Sequence, residues 1–335
     1  MIKIGINGFG RIGRLALRII EERALLGDNI NVVGINTKKS KTDFLAFQFK
    51  YDSIHGKFNG NVTSTNNSLI INNKEIKCFN FSNPENIPWN TLDVDIVLEC
   101  SGIFTTIDKA KGHITAGAKK VIISAPSKDA PMFVVGVNDD KYNNEIIISN
   151  SSCTTNCLAP IIKILNDTLG INNGLMTTIH AITSSQNTVD GSSSKENDWR
   201  ISRSALNNII PTTTGAAKAI GKIIPQLNNK LTGISVRVPT TNISLVDITL
   251  NLNKETSYEE IIQIIEKYSS NQFKNIVSIS YEPLVSSDYI GNSHSCIIDI
   301  KSTILLNKTF LKLICWYDNE WGYTNRLVDL IFKIY

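Results

Sequence analysis

The chain has 335 residues, 42% of them hydrophobic and 19% charged, and a net charge of +4 at neutral pH. This length fits two ordinary domains with sizeable cores, and the composition excludes a disordered or fibrous protein. The 34 basic and 30 acidic residues are spread along the chain without a polybasic block, which argues against a dedicated nucleic-acid or membrane surface.

The six cysteines form no disulfide framework and show no CxxC or Cys/His spacing, so we expect reduced thiols and no metal site. No apolar run reaches the roughly eighteen residues of a membrane span, and the first residues read as a strand rather than as a signal peptide. We therefore expect a cytoplasmic protein.

A glycine-rich motif follows the first predicted strand. The strand Ile2 to Asn7 runs into Gly8-Phe9-Gly10-Arg11-Ile12-Gly13, and apolar residues at helical spacing come next. In such a motif Gly8 permits a tight turn, Gly10 lets the backbone approach a pyrophosphate, and Gly13 lets the helix pack closely on the strand. An isolated triplet would suit an ordinary strand–helix turn as well. The strand–helix–strand context predicts dinucleotide binding.

The predicted elements change in character near residue 150. Before it, short strands alternate with helices, which is typical of a parallel sheet of βαβ units; these strands are predicted at Asn31–Ile35, Asp95–Cys100, Lys120–Ser124 and Glu145–Asn150. After it, longer strands with polar–apolar alternation predict a mostly antiparallel sheet with one exposed face; they are predicted at Leu175–Ile182, Gly233–Val238 and Ser244–Leu252. The fold class is thus α/β: a Rossmann dinucleotide-binding domain (1–152) plus an α+β catalytic domain (153–319).

The segment Ser152-Cys153-Thr154-Thr155-Asn156-Cys157 places a thiol where a predicted strand ends and an apolar helix begins. Unpaired amides and the positive end of the helix dipole favour a thiolate at that position. The same amides are suited to hold an oxyanion. Cys153 is therefore a candidate nucleophile, although a free cysteine is more often a small buried apolar residue.

With these two motifs in place, the chain resembles phosphorylating glyceraldehyde-3-phosphate dehydrogenase (type I) over essentially its whole length. Several further segments carry the resemblance in the same order: Lys50-Tyr51-Asp52-Ser53, Ala116-Gly117-Ala118-Lys119-Lys120-Val121, Thr178-Ile179-His180, Thr214-Gly215-Ala216-Ala217-Lys218, Arg237-Val238-Pro239-Thr240 and Trp316-Tyr317-Asp318-Asn319-Glu320-Trp321-Gly322-Tyr323. The resemblance also implies that a C-terminal helix at about 320–335, predicted from the apolar spacing of Asn325–Tyr335, completes the first domain.

The resemblance assigns roles to individual residues. It implies that His180 pairs with Cys153 as the base, whereas a lone histidine would more often be a satisfied core residue. It implies a thiolate attack on an aldehyde, hydride transfer to nicotinamide, and cleavage of the resulting thioester by inorganic phosphate. Two anion sites follow: Arg237 and Thr183 for the substrate phosphate, and Ser152, Thr154, Thr214 and Gly215 for inorganic phosphate. The Thr214-Gly215 pair also fits a plain helix N-cap, and both roles can hold together.

The implied cofactor is NAD or NADP. The cofactor-binding residues implied by the motif and the resemblance are Gly8, Gly10, Arg11, Ile12, Gly13, Asn36, Thr37, Ser101, Gly102, Ser124 and Asn319. Thr37 stands where NAD-preferring relatives carry an aspartate that binds the ribose diol and repels a 2′-phosphate. Lys38, Lys39 or Lys41 would attract that phosphate, which makes NADP or dual use a hypothesis. The alternative is that the lysines are solvated and Asn36 alone holds the ribose.

Other expectations concern assembly and rival functions. The family resemblance implies a homotetramer, and the loop Ser192–Arg203, longer than usual, lines a neighbouring subunit's nicotinamide in relatives; Arg200 and Arg203 are candidate phosphate or interface residues. Erythrose-4-phosphate dehydrogenase is an alternative, but Thr183 and Thr214-Gly215 favour the triose and the phosphorylating reaction. An RNA-binding or adhesive role gains no support from the scattered charge. NAD or NADP preference and the direction, glycolytic or gluconeogenic, stay open.

Overall fold

The computed structural model describes residues 1–38, 40–192 and 198–335. It divides into two compact units. The first comprises Met1–Val135, Lys141–Ser152 and Thr324–Tyr335, and the second comprises Gly136–Asp140 and Cys153–Tyr323.

The first unit is built on a sheet of eight strands among its described residues. Its elements in chain order are β1 (Ile2–Asn7), α1 (Arg11–Glu22), β2 (Ile30–Asn36), α2 (Thr42–Lys50), β3 (Tyr51–Asp52), β4 (Gly56–Lys57), β5 (Val62–Ser64), β6 (Ser68–Ile71), β7 (Lys74–Phe79), α3 (Trp89–Leu92), β8 (Ile96–Glu99), α4 (Ile107–Thr115), β9 (Lys120–Ile123) and β10 (Ile147–Ser149). The strand order is β10-β9-β8-β1-β2-β7-β6-β5, parallel from β10 to β7 and antiparallel from β7 to β5. Strands β3 and β4 form a separate small ribbon.

The order of the strands around β1 creates a crevice at the edge of this sheet. The chain passes from β1 to β2 on one side, whereas β8, which comes later, pairs with β1 on the other side. The strand order therefore reverses at β1 and β8. Ligands of open α/β sheets bind outside the carboxyl ends of the strands at such a point.

The second unit packs helices on one face of a seven-stranded sheet, as far as its residues are described. Its elements are α5 (Cys153–Thr168), β11 (Ile171–Ala181), β12 (Ile210–Thr213), α6 (Ala216–Ile223), β13 (Leu231–Val238), β14 (Ser244–Leu252), α7 (Tyr258–Ser270), β15 (Val277–Ser280), β16 (Cys296–Asn307) and β17 (Phe310–Tyr317). The order is β12-β13-β11-β14-β17-β16-β15, and among the strands that the structure describes the pairs β13–β11 and β16–β15 are parallel. The last helix, α8 (Trp321–Ile334), begins in this unit and runs into the first.

The pattern of buried residues along the strands matches the periodicity predicted from the sequence. Strand β14 alternates buried and half-buried residues along its whole length, and β17 does the same, because one face of this sheet packs under the helices. Strand β1 is instead buried on both faces, as expected for the middle of a parallel sheet. The predicted fold class, a Rossmann domain with an α+β partner, is confirmed.

Some boundaries differ from the prediction. Helix α5 starts at Cys153 itself, five residues before the predicted apolar pattern, because its first turn is made of small polar residues that carry no apolar signal. Strand β10 is shorter than predicted. All six cysteines are free thiols. Within the described ranges, every helix is too short or too polar to cross a bilayer.

Candidate active site

The glycine-rich turn after β1 has the geometry that its sequence predicts. Gly8 has a φ of +95°, and a Cβ there would come within 2.5 Å of the Ser101 amide nitrogen. A Cβ on Gly13 would come within 2.1 Å of the Gly8 carbonyl oxygen, so only glycine allows α1 to lie this close to the turn. A Cβ on Gly10 would meet nothing within 4 Å, which leaves this side of the α1 N-terminus open to a ligand.

A pocket of about 250 Å³ lies at this turn, outside the carboxyl ends of β1, β2 and β8. It combines apolar walls with amide and hydroxyl groups, as nucleotide sites do. The open face at Gly10 and the helix N-terminus at Arg11 fit a dinucleotide pyrophosphate. The lining residues are Asn7, Gly8, Phe9, Gly10, Asn36, Thr37, Lys38, Phe81, Ser82, Cys100, Ser101, Ile103 and Phe104.

The end of β2 determines what a ribose would meet. The buried Asn36 amide donates to Asn7 Oδ1 at 2.8 Å and to the Phe81 carbonyl at 3.0 Å. Asn36 Oδ1 accepts from the Phe81 amide at 2.8 Å, and its second lone pair is the acceptor position that a ribose hydroxyl would use. The alternative in which Asn36 alone holds the ribose stays a prediction. Thr37 and the exposed Lys38 both line the pocket, whereas Lys39 lies outside the described residues.

Arg11, a predicted cofactor residue, is paired within its own unit. Its guanidinium forms a short ion pair with Asp52, which lies on the small ribbon β3. Burial favours the protonated form of Asp52, but the amides of His55 and Ile54 and the Arg11 guanidinium outweigh it and hold the pKa of this carboxyl at about 2. Asp52 thereby anchors the first residue of α1 beside the pocket.

The other predicted cofactor residues of this unit lie after β8 and β9. The Ser101 amide and hydroxyl both donate to Glu99 Oε1, at 2.8 and 2.5 Å. Gly102 follows with a φ of +72°, and a Cβ there would meet nothing. Ser124 donates its hydroxyl to the Glu99 carbonyl at 3.0 Å. Ser101 lines the pocket, while Ser124 supports the strand ends from one strand further out.

In the second unit, the predicted nucleophile and base face each other. Cys153 is the first residue of α5, and His180 is the penultimate residue of β11. The distance from Cys153 Sγ to His180 Nε2 is 3.4 Å. This distance is suited to transfer of the thiol proton to the imidazole.

Arg237 lies on the far side of the imidazole. It is the direct register partner of His180 across the parallel pair β11–β13, which puts both side chains on one face of the sheet. His180 Nδ1 is 2.6 Å from Arg237 Nη1 and 2.7 Å from the Ala181 carbonyl. A guanidinium only donates and a carbonyl only accepts, so Nδ1 can hydrogen-bond one of them at a time. Only the bond to Ala181 leaves Nε2 unprotonated and able to act as a base.

The protonation states differ from the expected thiolate. Burial raises the pKa of the Cys153 thiol, against the opposing effects of Arg237 and of the Thr154 hydroxyl and amide. Burial, and then the charge of Arg237, lowers the pKa of His180 to about 3. The resting pair at neutral pH is therefore a neutral thiol and a neutral imidazole. The helix N-terminus acts in the predicted direction, but desolvation outweighs it.

Tyr317 supports both members of the pair and received no role from the sequence. Its hydroxyl lies 2.9 Å from the hydroxyl of Thr154 and 2.9 Å from that of Thr178, and its ring stands edge-on to His180 with centroids 6.0 Å apart. Tyr317 is the last residue of β17, and the alternating pattern of that strand was the available signal that its side chain points inward.

The predicted phosphate residues are spread over several elements. Thr154 is buried, and its hydroxyl lies 2.9 Å from the hydroxyl of Tyr317. Thr183 follows β11, and its hydroxyl contacts Ser185 and Gln186 at 2.9 Å each. Thr214 accepts from the Ala216 amide at the start of α6, and the exposed Gly215 is the N-cap residue. Ser152 is the residue directly before Cys153.

Asn319, the remaining predicted cofactor residue, belongs to the second unit. Its Oδ1 accepts from the Ser244 hydroxyl at 2.8 Å, and that hydroxyl accepts from the Ala181 amide at 3.1 Å. This chain of bonds holds the end of β11 where His180 is located. Sequence reasoning assigned no role to Ser244.

The loop of Arg200 and Arg203 is only partly described, since 193–197 lie outside the described residues. Arg203 forms an exposed ion pair with Asp190 at 2.7 Å, and Arg200 lies exposed on the short helix Trp199–Ser202. Neither contacts the pair of Cys153 and His180 in these bonds. Their predicted phosphate or interface role stays a prediction.

The Rossmann pocket and the thiol–imidazole pair together define a class, that of dinucleotide-dependent enzymes with a cysteine nucleophile. Comparison with known families agrees. Residues 2–107 match the model for glyceraldehyde 3-phosphate dehydrogenase, NAD binding domain, and residues 152–319 match that for glyceraldehyde 3-phosphate dehydrogenase, C-terminal domain.

Similar proteins match over nearly their whole length. A glyceraldehyde-3-phosphate dehydrogenase of Ogataea parapolymorpha is 56% identical over 329 residues, which cover 98% of this chain and 96% of the relative. Glyceraldehyde-3-phosphate dehydrogenase 1 of Kluyveromyces lactis is 53% identical over 331 residues, or 99% of each chain. A protein of Magnolia liliiflora named glyceraldehyde-3-phosphate dehydrogenase, cytosolic, is 52% identical over 337 residues, covering 100% of this chain and 97% of the relative. The chain belongs to the glyceraldehyde-3-phosphate dehydrogenase family.

Proposed function

We propose that this chain is a phosphorylating oxidoreductase that converts D-glyceraldehyde 3-phosphate, inorganic phosphate and NAD(P)⁺ to 1,3-bisphosphoglycerate and NAD(P)H, in glycolysis or gluconeogenesis. The observation that carries the proposal is the constellation of Cys153, His180 and Arg237: a thiol 3.4 Å from an imidazole that in turn contacts a guanidinium. The names of the Ogataea, Kluyveromyces and Magnolia relatives support the substrate.

The neutral pair is suited to the first step. As the Cys153 sulfur forms a bond to the aldehyde carbon, the thiol proton passes to His180 Nε2, and the imidazolium then gives this proton to the former carbonyl oxygen, which becomes the hydroxyl of a hemithioacetal. His180 next removes the proton of that hydroxyl while hydride leaves the carbon, which gives a thioester. A bound nicotinamide ring supplies the hydride acceptor. Inorganic phosphate then attacks the thioester carbon and expels the Cys153 thiolate, which regains a proton from His180.

Arg237 links substrate binding to the base. A guanidinium binds phosphate oxygens with two parallel hydrogen bonds, so the substrate phosphate would draw Arg237 away from Nδ1. Nδ1–H would then donate to the Ala181 carbonyl, and Nε2 would be left as the acceptor. Thr183, which follows the end of β11, is proposed to assist Arg237 in binding this phosphate. Ser152, Thr154, Thr214 and Gly215 are proposed for the attacking phosphate.

The cofactor preference is proposed to include NADP. Thr37 brings no carboxylate to the pocket wall that it shares with Lys38. A 2′-phosphate would therefore meet a cation rather than a repelling charge. The match to an NAD binding domain supports NAD as the second substrate of a dual enzyme.

The first measurement is the initial rate with glyceraldehyde 3-phosphate, using NAD and NADP in parallel, each with and without inorganic phosphate. Phosphate-dependent turnover is the expected result, and the ratio of kcat/KM for the two cofactors reports the role of Thr37. The absence of turnover with both cofactors, or steady turnover without phosphate or a substitute anion, would refute the phosphorylating assignment. Erythrose 4-phosphate is the substrate to test in that case.

We further propose a homotetramer in the cytosol. The face of the second sheet that is turned away from the helices exposes large apolar side chains, among them Leu175 on β11, Ile234 on β13 and Leu306 on β16. Large apolar side chains exposed on one sheet face support burial of that face against another subunit. Light scattering coupled to gel filtration gives the subunit count, and a monomer at micromolar concentration would contradict the proposal. The name of the Magnolia relative supports the location.

A further inference from the structure

A buried ionisable pair lies behind the dinucleotide pocket. His113 Nε2 and Glu99 Oε2 are 2.9 Å apart, and both side chains are fully shielded from solvent. His113 is located on α4 and Glu99 is the last residue of β8. Neither is among the described residues that line the pocket, and the reaction uses neither. A buried carboxylate is costly unless each lone pair finds a donor, so this pair requires an explanation.

The Glu99 carboxylate is saturated with donors. Its Oε2 accepts from His113 and, at 2.5 Å, from the Asn7 amide. Its Oε1 accepts from both the amide and the hydroxyl of Ser101. An ionised carboxylate only accepts, and it offers about four lone-pair positions, so all four contacts fit this form.

Trp89 fixes the proton on His113. The indole N–H only donates, and Trp89 Nε1 is 3.1 Å from His113 Nδ1. Nδ1 must therefore accept, which places the ring proton on Nε2, directed at Glu99. The indole itself cannot move, since it is fully buried against the sheet at Gly5 and Gly34, where a Cβ would approach its ring within 2.9 and 3.0 Å.

The two groups that Glu99 holds are walls of the pocket. Asn7 and Glu99 are register partners at the ends of β1 and β8, on the two sides of the crevice, and Ser101 begins the loop that leaves β8. Asn7 connects this hydrogen-bond network to β2, because its Oδ1 accepts a hydrogen bond from the Asn36 amide. The carboxylate thus ties the ends of three strands at the place where a dinucleotide would lie.

We propose that Trp89, His113 and Glu99 form a hydrogen-bond relay of fixed direction that positions Asn7 and Ser101 for dinucleotide binding. Glu99 and His113 are positioning residues that act through the pocket wall. This inference rests on the proposed cofactor site. It goes beyond that site because it assigns a binding function to a buried pair outside the pocket.

The decisive variant is Glu99→Gln, which keeps the shape and replaces one acceptor by an NH₂ group. The new amide can adopt two orientations. If its NH₂ takes the place of Oε2, it faces the donors of Asn7 and His113; if it takes the place of Oε1, it faces the Ser101 amide, which is also a donor. His113 cannot adapt while the Trp89 N–H occupies Nδ1. Leaving a buried donor unsatisfied weakens NAD⁺ binding by roughly five- to a hundredfold. Titration calorimetry measures the dissociation constant for NAD⁺. The value of kcat at saturating NAD⁺ should, in contrast, change less than threefold. The exposed Glu75→Gln is the matched control and should bind as wild type does.

A second substitution separates positioning from general damage. Trp89→Phe removes the donor at Nδ1, so His113 can move its proton there and accept, through Nε2, from the side-chain amide introduced at position 99. The double variant Trp89→Phe/Glu99→Gln should therefore bind NAD⁺ more tightly than Glu99→Gln alone. Additive loss in the double variant, or an unchanged dissociation constant in Glu99→Gln, would overturn the relay.

The wild-type protein gives an independent test that does not depend on folding of the variants. Nitrogen-15 spectra of histidine-labelled protein, with His113 assigned by a His113→Gln variant, should show a neutral ring protonated at Nε2, with and without NAD⁺. Protonation at Nδ1 would refute the fixed direction of the relay. Failure of the wild-type protein itself to bind NAD⁺ or NADP⁺ would instead refute the proposed function, and the two failures are thus distinguishable.

Discussion

The neutral state of His180 makes the stability of the protein sensitive to mild acid. His180 is only 4% exposed, and burial together with Arg237 lowers the pKa of its imidazole from 6.5 to about 3. The unfolded chain binds a proton on this residue below pH 6.5, whereas the folded chain does not until about pH 3. Stability is therefore lost as the pH falls through this window and is fully present above it.

The size of the effect follows from the same two values. Lowering the pH from 7 to 5 costs the folded state about 2 kcal/mol through this one group, at about 1.4 kcal/mol per pH unit below 6.5. The variant His180→Gln removes the titrating group and so removes this part of the slope. Unfolding in urea, followed by fluorescence at several pH values for both proteins, measures the difference.

The comparison between the two proteins cancels the titration of other groups. Asp52, with a pKa of about 2, stays ionised in both proteins over this range. Thr183→Val, which keeps the imidazole, is the control and should retain the wild-type slope. Parallel pH dependences of wild type and His180→Gln between pH 7 and 5 would refute the assignment of a buried neutral imidazole.

Three further substitutions test the remaining parts of the site. Tyr317→Phe should lower stability by about 1–3 kcal/mol and slow alkylation of Cys153, because the Thr154 hydroxyl loses its partner. Thr178→Val, the control, should cost similar stability without slowing alkylation, and equal alkylation rates in the two variants would contradict the role of Tyr317. Arg237→Gln should lower kcat/KM for glyceraldehyde 3-phosphate roughly ten- to a hundredfold but change that for unphosphorylated glyceraldehyde far less, and equal losses with both substrates would exclude a phosphate contact. Thr37→Asp should lower the NADP/NAD ratio of kcat/KM by at least about tenfold through repulsion of the 2′-phosphate, and an unchanged ratio would remove position 37 from cofactor selection.

The sequence predicted the parts of the molecule that depend on local pattern. The glycine turn is an example, because Gly8 and Gly13 are required by contacts with the adjacent backbone that any such strand–turn–helix unit makes. The alternation of β14 was equally readable, since one buried face imposes a period of two. The sequence also placed Cys153 at a strand-to-helix junction, and β10 and α5 confirm that junction; its role as nucleophile stays a prediction.

The contacts within the site depend on how distant strands pair in register, and this pairing cannot be read from any local sequence pattern. His180 and Arg237 are 57 positions apart and meet only because β11 and β13 pair in parallel with these residues opposite each other. Tyr317 reaches Thr154 across 163 positions. The raised pKa of the thiol was missed for a related reason: helix-end electrostatics can be predicted from the segment alone, whereas desolvation depends on everything packed around it.

A neutral resting pair is also the arrangement that a buried site can hold at the lowest cost. A thiolate and an imidazolium would each have to be desolvated, and their attraction offsets that cost only with good geometry and further donors. In the proposed mechanism the proton moves only as sulfur bonds to carbon, so the negative charge would develop on the carbonyl oxygen, where the amides of α5 would stabilise it, instead of resting on the sulfur. The charge on Arg237 then has two roles in sequence. In the resting unit it adds to burial, which is the larger cause of the neutral state of His180. If Arg237 binds the substrate phosphate as proposed, its charge is offset, and the imidazole becomes more basic when the thiol proton must be accepted.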